Sequence, residues 1–107
     1  MIKVTYYRRY HRVTVVGHAK SGEAGHDLIC AAASILAYTL AANMQNLEAN
    51  GRVSNTVLNL EPGNAEIACK ASSKYKAVVD LIFTSVCSGF EILAADYPEN
   101  IRFEIHS

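Results

Sequence analysis

Residues 17–34 read GHAKSGEAGHDLICAAAS, and this stretch marks the change from strand to helix near the start of the chain. The glycines in it, which predict a flexible connection, are Gly17, Gly22 and Gly25. Asp27 is a good helix N-cap, because its carboxylate can accept hydrogen bonds from backbone N–H groups two or three residues later. The stretch therefore predicts a long helix that carries Cys30 as its third residue.

Alternation of apolar and polar residues predicts strands on both sides of this helix. In chain order the predicted elements are strands at 2–6 and 12–18, a helix at 28–50 after the Asp27 cap, strands at 53–60 and 65–70, a helix at 73–95 and a strand at 101–106. This ββαββαβ order predicts an α+β fold with two helices packed on a mostly antiparallel sheet. A chain of 107 residues can bury one core, so residues 1–107 are interpreted as a single domain.

Helical spacing assigns a core face to each predicted helix. In the first helix the core stripe is Leu36, Leu40, Met44 and Leu47. Small residues form a second stripe, which could admit a sheet or another copy of the helix, at Ala33, Ala37 and Ala41. In the second helix the predicted core face is Val78, Leu81, Ile82, Ser85 and Leu93.

Composition and charge argue against several classes of partner. Ten basic and ten acidic residues cancel, so no net field favours nucleic acid or an anionic membrane. The basic cluster at Arg8, Arg9 and Arg12 is interpreted as a solvated turn. No N-terminal signal pattern is present, and the longest mostly apolar run, 28–42, is expected to be too short to span a bilayer. We therefore expect a cytoplasmic protein.

His18 and Cys30 are the candidate catalytic pair. A thiol attacks as its thiolate, which a helix N-terminus and a neighbouring imidazolium both stabilise. The connection between the two residues is long enough to fold back and bring imidazole to sulfur. Free N–H groups at the helix start could also hold an oxyanion. From spacing alone, however, a buried structural cysteine is the commoner case.

The residues near the candidate pair each have two possible interpretations. Asp27 is either a helix cap or an orienting partner for His18, and Ser34 either forms a hydrogen bond near the site or lets the helix pack closely. The glycines Gly17, Gly22 and Gly25 either let the connection close over a bound peptide or serve ordinary turn chemistry.

The remaining histidines and cysteines are assigned no chemistry. His11, His26 and His106 are expected to be solvated, and Cys69 and Cys87 are expected to be packing residues. Three widely spaced cysteines do not form a disulfide framework. No CxxC, HxxxH or phosphate-binding glycine pattern is present, so we predict neither a metal nor a cofactor.

The run GHAKSGEAGHDLICAAAS resembles the signature of the ribosomal-processing cysteine proteases, the Prp family, which reads approximately GHA, variable residues, then G-x-D-[IL]-V-C-A-A-x-S. The opening hairpin, the Ala-rich helix and the later Tyr97-Pro98-Glu99 segment extend the resemblance over nearly the whole chain. Two departures are Ile29, where valine is usual, and a more polar connection at 20–24 and His26, which bears on substrate preference.

The resemblance implies a bacterial endopeptidase that removes a short N-terminal extension from a large-subunit ribosomal protein. Carried over by position, Cys30 is the nucleophile and His18 the base, while Asp27 and Ser34 match the acidic residue and the serine of the signature. The family is typically homodimeric, which fits the small-residue stripe. Two alternatives stay open, a non-catalytic ribosome-associated binding module and a redox-active thiol protein. Peptide cleavage without a redox partner separates the protease from both.

Overall fold

The computed structural model describes residues 1–18 and 26–107, with only the backbone described for His26 and Asp27. The elements are β1 (Ile2–Tyr7), a short 3-10 helix (Arg8–Tyr10), β2 (Arg12–Val16), α1 (His26–Ala49), β3 (Val53–Glu61), β4 (Asn64–Ala71), α2 (Lys76–Asp96) and β5 (Ile101–His106). The α+β fold and the ββαββαβ order predicted from the sequence are confirmed.

Within the described residues the strands form a five-stranded sheet in the order β3-β4-β2-β1-β5. The β1–β2, β2–β4 and β3–β4 pairs are antiparallel, whereas β1 and β5 run parallel. The sheet is therefore mixed but mostly antiparallel, as predicted. Val16 lies opposite Asn64 in the β2–β4 pair, so the turn between β3 and β4 reaches the end of β2.

The core lies between one face of the sheet and the two helices. Alternate residues of β1, among them Val4 and Tyr6, are buried on this face. On α1, Leu40 and Met44 are fully buried, while Leu36 and Leu47 pack at the margin, which confirms the predicted core stripe. The small-residue stripe at Ala33, Ala37 and Ala41 is buried in the core of the same chain, so it is not free to contact another copy of the helix.

The predicted core face of α2 is only partly correct, because Ile82 and Leu93 pack against the core but Val78, Leu81 and Ser85 do not. Val78 and Leu81 are 48% and 66% exposed, whereas the buried residues are Val79, Phe83, Val86, Cys87 and Phe90. Phe83 stacks on Tyr6 with ring centroids 5.6 Å apart. Aromatic side chains bury the largest apolar areas, so Phe83 and Phe90 decide which face of the helix meets the sheet.

His11 is another correction, because it is buried and not solvated. It adopts a left-handed conformation with φ 45° after the 3-10 helix, and its ring lies against Phe83 at a centroid distance of 5.6 Å. Its Nε2 atom is 2.5 Å from Asp80 Oδ1 on α2. This hydrogen bond satisfies the Nε2 atom of His11 and so allows the ring to be buried. His106 is half exposed, as expected, and contacts Glu104.

Length and composition alone would let both helices cross a membrane, over Leu28–Ala49 and Lys76–Asp96. The expectation of no span rested on the apolar run at 28–42, but α1 continues beyond that run, so the length of the run does not decide the question. Each helix nevertheless packs one face in the core, where Leu40 and Phe83 are fully buried. Core helices of globular folds meet the same two criteria, so this composition does not place the chain in a membrane.

Candidate active site

The helix α1 starts two residues earlier than the Asp27 cap predicts. The helix begins at His26, so Asp27 has helical backbone and is not the N-cap, which requires a non-helical backbone. An acidic residue remains favourable there, because the whole first turn of a helix favours negative charge. Cys30 is consequently the fifth helical residue and not the third. Its own N–H group lies beyond the free groups of the first turn.

A cavity of about 210 Å³ lies at one end of the sheet, between α1 and the turn that joins β3 to β4. The two candidate catalytic residues, His18 and Cys30, both line it, and so do Gly17 and Ser34. His18 is exposed and Cys30 is partly exposed, so solvent and substrate can reach both side chains. The fold thus brings together in one cavity the residues that the sequence predicted as a pair.

Backbone contacts hold the segment that carries His18. The N–H group of Gly17 donates to the Gly63 carbonyl oxygen at 2.9 Å, and the amino group of Met1 donates to the His18 carbonyl oxygen at 2.7 Å. Gly17 has φ +102°, and a Cβ atom there would lie 2.2 Å from the Met1 carbonyl oxygen. Only glycine fits both the conformation and this close approach. The predicted hinge role of Gly17 stays a prediction.

Ser34 and Tyr38 continue the cavity wall along α1. They follow Cys30 at spacings of four and eight residues, which place all three on one side of the helix. Tyr38 is half exposed and was missed at the sequence level, although the helical period that selected Ser34 reaches it as well. Ser34 therefore lies at the cavity, and Tyr38 adds an aromatic side chain beside it.

The turn between β3 and β4 was also missed as part of the site. Its residues, predicted only as a turn, line the cavity: Glu61, Pro62, Gly63 and Asn64. Gly63 has φ +75°, and a Cβ atom there would lie 2.2 Å from His18 Nε2. The sequence carries no signal for this contact, because it depends on the pairing of β2 with β4.

Several predicted residues lie outside the described residues. Gly22 and Gly25, with the connection they belong to, are among them, and so are the side chains of His26 and Asp27. The predicted closing of the connection over a peptide and the predicted contact between Asp27 and His18 therefore stay predictions.

The other two cysteines have surroundings unlike those of Cys30. Cys69 and Cys87 are buried, as predicted, and burial raises the pKa of their thiols to about 11 and about 12. Both thiols therefore remain protonated near neutral pH, which makes them poor nucleophiles. In the part of the chain that the structure describes, no group of three or more His, Cys, Asp and Glu residues could hold a metal ion.

Comparison with known proteins shows which family the sequence matches. The family model described as cysteine protease Prp matches residues 1–102. Among solved structures, SMU.848 from Streptococcus mutans is similar at 29% identity, with a TM-score of 0.72 over 98% of this chain and 93% of that chain. No match was found among curated proteins.

Two structures of the essential ribosomal processing protease Prp from S. aureus are similar as well. One is a complex with a substrate peptide, with 21% identity and a TM-score of 0.70. The other has a covalently linked product peptide, with 21% identity and a TM-score of 0.69. Both alignments cover 98% of this chain and 97% of that chain. Since the family match spans nearly the whole sequence and agrees with the resemblance in residues 17–34, the chain belongs to the Prp family of cysteine proteases.

Proposed function

We propose that the chain is an endopeptidase that removes a short N-terminal extension from a large-subunit ribosomal protein, with Cys30 as the nucleophile and His18 as the general base. The observation that carries the proposal is the shared cavity, which His18 and Cys30 line together in a member of a cysteine protease family. The substrate class is supported by the S. aureus relative, a ribosomal processing protease solved with a substrate peptide.

The proposed reaction is acyl transfer in two stages. His18 takes the proton of Cys30 Sγ, and the thiolate attacks the scissile carbonyl carbon to form a tetrahedral oxyanion. When the oxyanion collapses, the C–N bond breaks, His18 protonates the leaving amine, and the acyl group stays on Sγ as a thioester. Water then gives a proton to His18 and its hydroxide to the acyl carbon. The thiolate leaves and recovers its proton, which restores both residues.

Groups around the pair are proposed to support this reaction. Backbone N–H groups in the first turn of α1, which lack intrahelical acceptors, would stabilise the oxyanion. The helix begins only four residues before Cys30, which supports this role. Ser34 lines the cavity one turn beyond Cys30, where its hydroxyl can donate to the substrate or to the thiolate. Asp27 would orient His18 or stabilise the helix start.

We propose further that residues 1–107 form one domain that acts as a homodimer in the bacterial cytoplasm, without a cofactor. The dimer is supported by large apolar side chains that remain exposed on the helices: Leu28, Ile35, Leu81 and Ile92. Because the small-residue stripe of α1 is buried, we place a second copy on these outer residues of the helices instead. The balance of ten basic and ten acidic residues supports a protein partner over nucleic acid.

The test is mass spectrometry of an N-terminally extended ribosomal protein after incubation with the parent protein, with Cys30→Ala and with Cys69→Ala. Cys69→Ala is the matched control, because it removes a thiol that is buried away from the cavity. We expect one defined cut by the parent and by the control, and none by Cys30→Ala or by His18→Ala.

Other results would favour the alternatives. Capture of the extended protein without any cut would indicate a binding module. Full cleavage by Cys30→Ala would show that the nucleophile is assigned to the wrong residue. Disulfide or peroxide chemistry at Cys30 without peptide cleavage would indicate a redox-active thiol protein.

A further inference from the structure

Gly63 lies next to the imidazole ring of His18. It belongs to the tight turn between β3 and β4, and it has φ +75°, which residues with a side chain rarely adopt. A Cβ atom at this position would lie 2.2 Å from His18 Nε2, 2.5 Å from Cε1 and 3.0 Å from Cδ2. The first two distances are too short for a real contact and the third is tighter than most, so any side chain at 63 requires the imidazole to move.

The same glycine is tied to the backbone that carries His18. Its carbonyl oxygen accepts a hydrogen bond from the Gly17 N–H group at 2.9 Å, directly before His18 in the chain. The pairing of Val16 with Asn64 fixes the turn against the end of β2. The turn therefore cannot move away from His18 without breaking the end of the β2–β4 ladder.

The position of the imidazole matters for catalysis because the His18 side chain is exposed to solvent. His18 is exposed, and it lies at the edge of the cavity that Cys30 and Ser34 also line. An exposed side chain at a strand end has several rotamers available, and a general base must hold one of them relative to the nucleophile. Because Gly63 has no Cβ atom, the imidazole ring can approach the backbone of the turn closely on the cavity side.

We propose that Gly63 is a positioning residue for His18, and that its missing side chain lets the imidazole lie against the turn in the place from which it acts on Cys30. The inference rests on the proposed function, since it takes His18 as the base. It assigns a role in catalysis to the β3–β4 turn, for which the sequence predicted only a turn.

The test compares Gly63→Ala with Gly51→Ala. Gly51 is a matched control, because it has φ +71° and an added Cβ atom would meet nothing within 4 Å. Both variants place alanine in the left-handed region and should lower the unfolding midpoint to a similar extent. Only Gly63→Ala forces the imidazole to move.

Two rates are measured for the parent, both glycine variants and His18→Ala. The first is kcat for cleavage of the extended ribosomal protein. The second is the rate of Cys30 alkylation by iodoacetamide, measured as a function of pH. We expect kcat of Gly63→Ala to fall by roughly 100-fold, the scale of an approximately 1 Å misplacement. We also expect its alkylation profile to resemble that of His18→Ala, while Gly51→Ala keeps both parent values.

The outcomes separate the two proposals. If His18→Ala lowers both rates and Gly63→Ala behaves like Gly51→Ala, the positioning role is wrong while His18 remains the base. If His18→Ala keeps the parent rates, the assignment of the base is wrong and the inference drawn from it is overturned as well. Equal activity losses in both glycine variants would show a general effect on stability and would also overturn the positioning role.

Discussion

At the scale of single residues, the three thiols of the chain differ mainly in their access to water. Cys30 is partly exposed at the cavity, whereas burial raises the pKa of Cys69 to about 11 and that of Cys87 to about 12. We expect iodoacetamide to modify Cys30 first in the folded protein and the other two roughly 100-fold more slowly, because burial raises the pKa of their thiols and keeps the reagent away from their sulfur atoms. Peptide mapping by mass spectrometry over time measures the three rates.

Denaturant provides the control for this experiment. In the unfolded chain all three cysteines should react at similar rates, because their surroundings become alike. Modification of Cys69 or Cys87 as fast as Cys30 in the folded protein would contradict the assignment. It would mean that the core opens more readily than the burial of these residues indicates.

A second residue-scale prediction concerns Asp80 and the pH dependence of stability. Hydrogen bonds from Lys76 Nζ, at 2.7 Å, and from His11 lower the pKa of Asp80. A carboxylate with a lowered pKa in the folded state stabilises the fold above its unfolded pKa of about 3.9. That contribution is lost as the pH falls from about 4 through the lower pKa of the folded state.

Asp80→Asn should therefore reduce stability at neutral pH and flatten the loss of stability below about pH 4. Urea denaturation of the parent and the variant at several pH values measures both effects. The control is Glu99→Gln, which neutralises an exposed carboxylate in the turn after α2. A parent-like pH profile for Asp80→Asn would show that the contact with His11 and Lys76 contributes nothing to folding.

At the scale of elements, α2 offers two adjacent valines with opposite surroundings. Val79 is 0% exposed and Val78 is 48% exposed. Val79→Ala should lower the free energy of unfolding by about 2 kcal/mol, because it removes two buried carbons and leaves a cavity. Val78→Ala should change it by less than about 0.5 kcal/mol. Equal effects in chemical denaturation would place the core face of α2 elsewhere.

The same helix shows where the sequence was insufficient. Leu36, Leu40, Met44 and Leu47 predicted the core face of α1 correctly, because Ala and polar residues occupy much of the rest of that helix. On α2 apolar residues surround the axis, and spacing alone cannot choose between the side of Leu81 and the side of Phe83. Tertiary packing on Tyr6 makes the choice.

The strands were easier to predict than their partners in the sheet. Alternation predicted all five strands, but the order β3-β4-β2-β1-β5 depends on contacts between residues far apart in the chain. That order puts the β3–β4 turn beside His18. The sequence could therefore predict His18 and Cys30 from a motif, whereas the role of Gly63 required the register of β2 with β4.

At the scale of the whole molecule, the outer surface of the helices is the feature that the single chain leaves unexplained. Leu28 and Ile35 are seven residues apart on α1, and Leu81 and Ile92 are eleven apart on α2, so each pair lies on one side of its helix. All four side chains are more than half exposed. Exposed apolar residues arranged in this way are typical of an interface between proteins.

We expect the parent to sediment as a homodimer with twice the 11.7 kDa mass of the chain, and Leu81→Lys to sediment as a monomer. Lysine keeps high helix propensity, so the fold should survive, but an unpaired ammonium group buried in the interface opposes association. Ile105→Lys is the control, because Ile105 is 49% exposed on the edge strand β5, outside the helices. Sedimentation velocity distinguishes the possibilities. Dissociation by Ile105→Lys alone would place the interface at the sheet edge, and a monomeric parent would show that dimer formation is not a property of this chain.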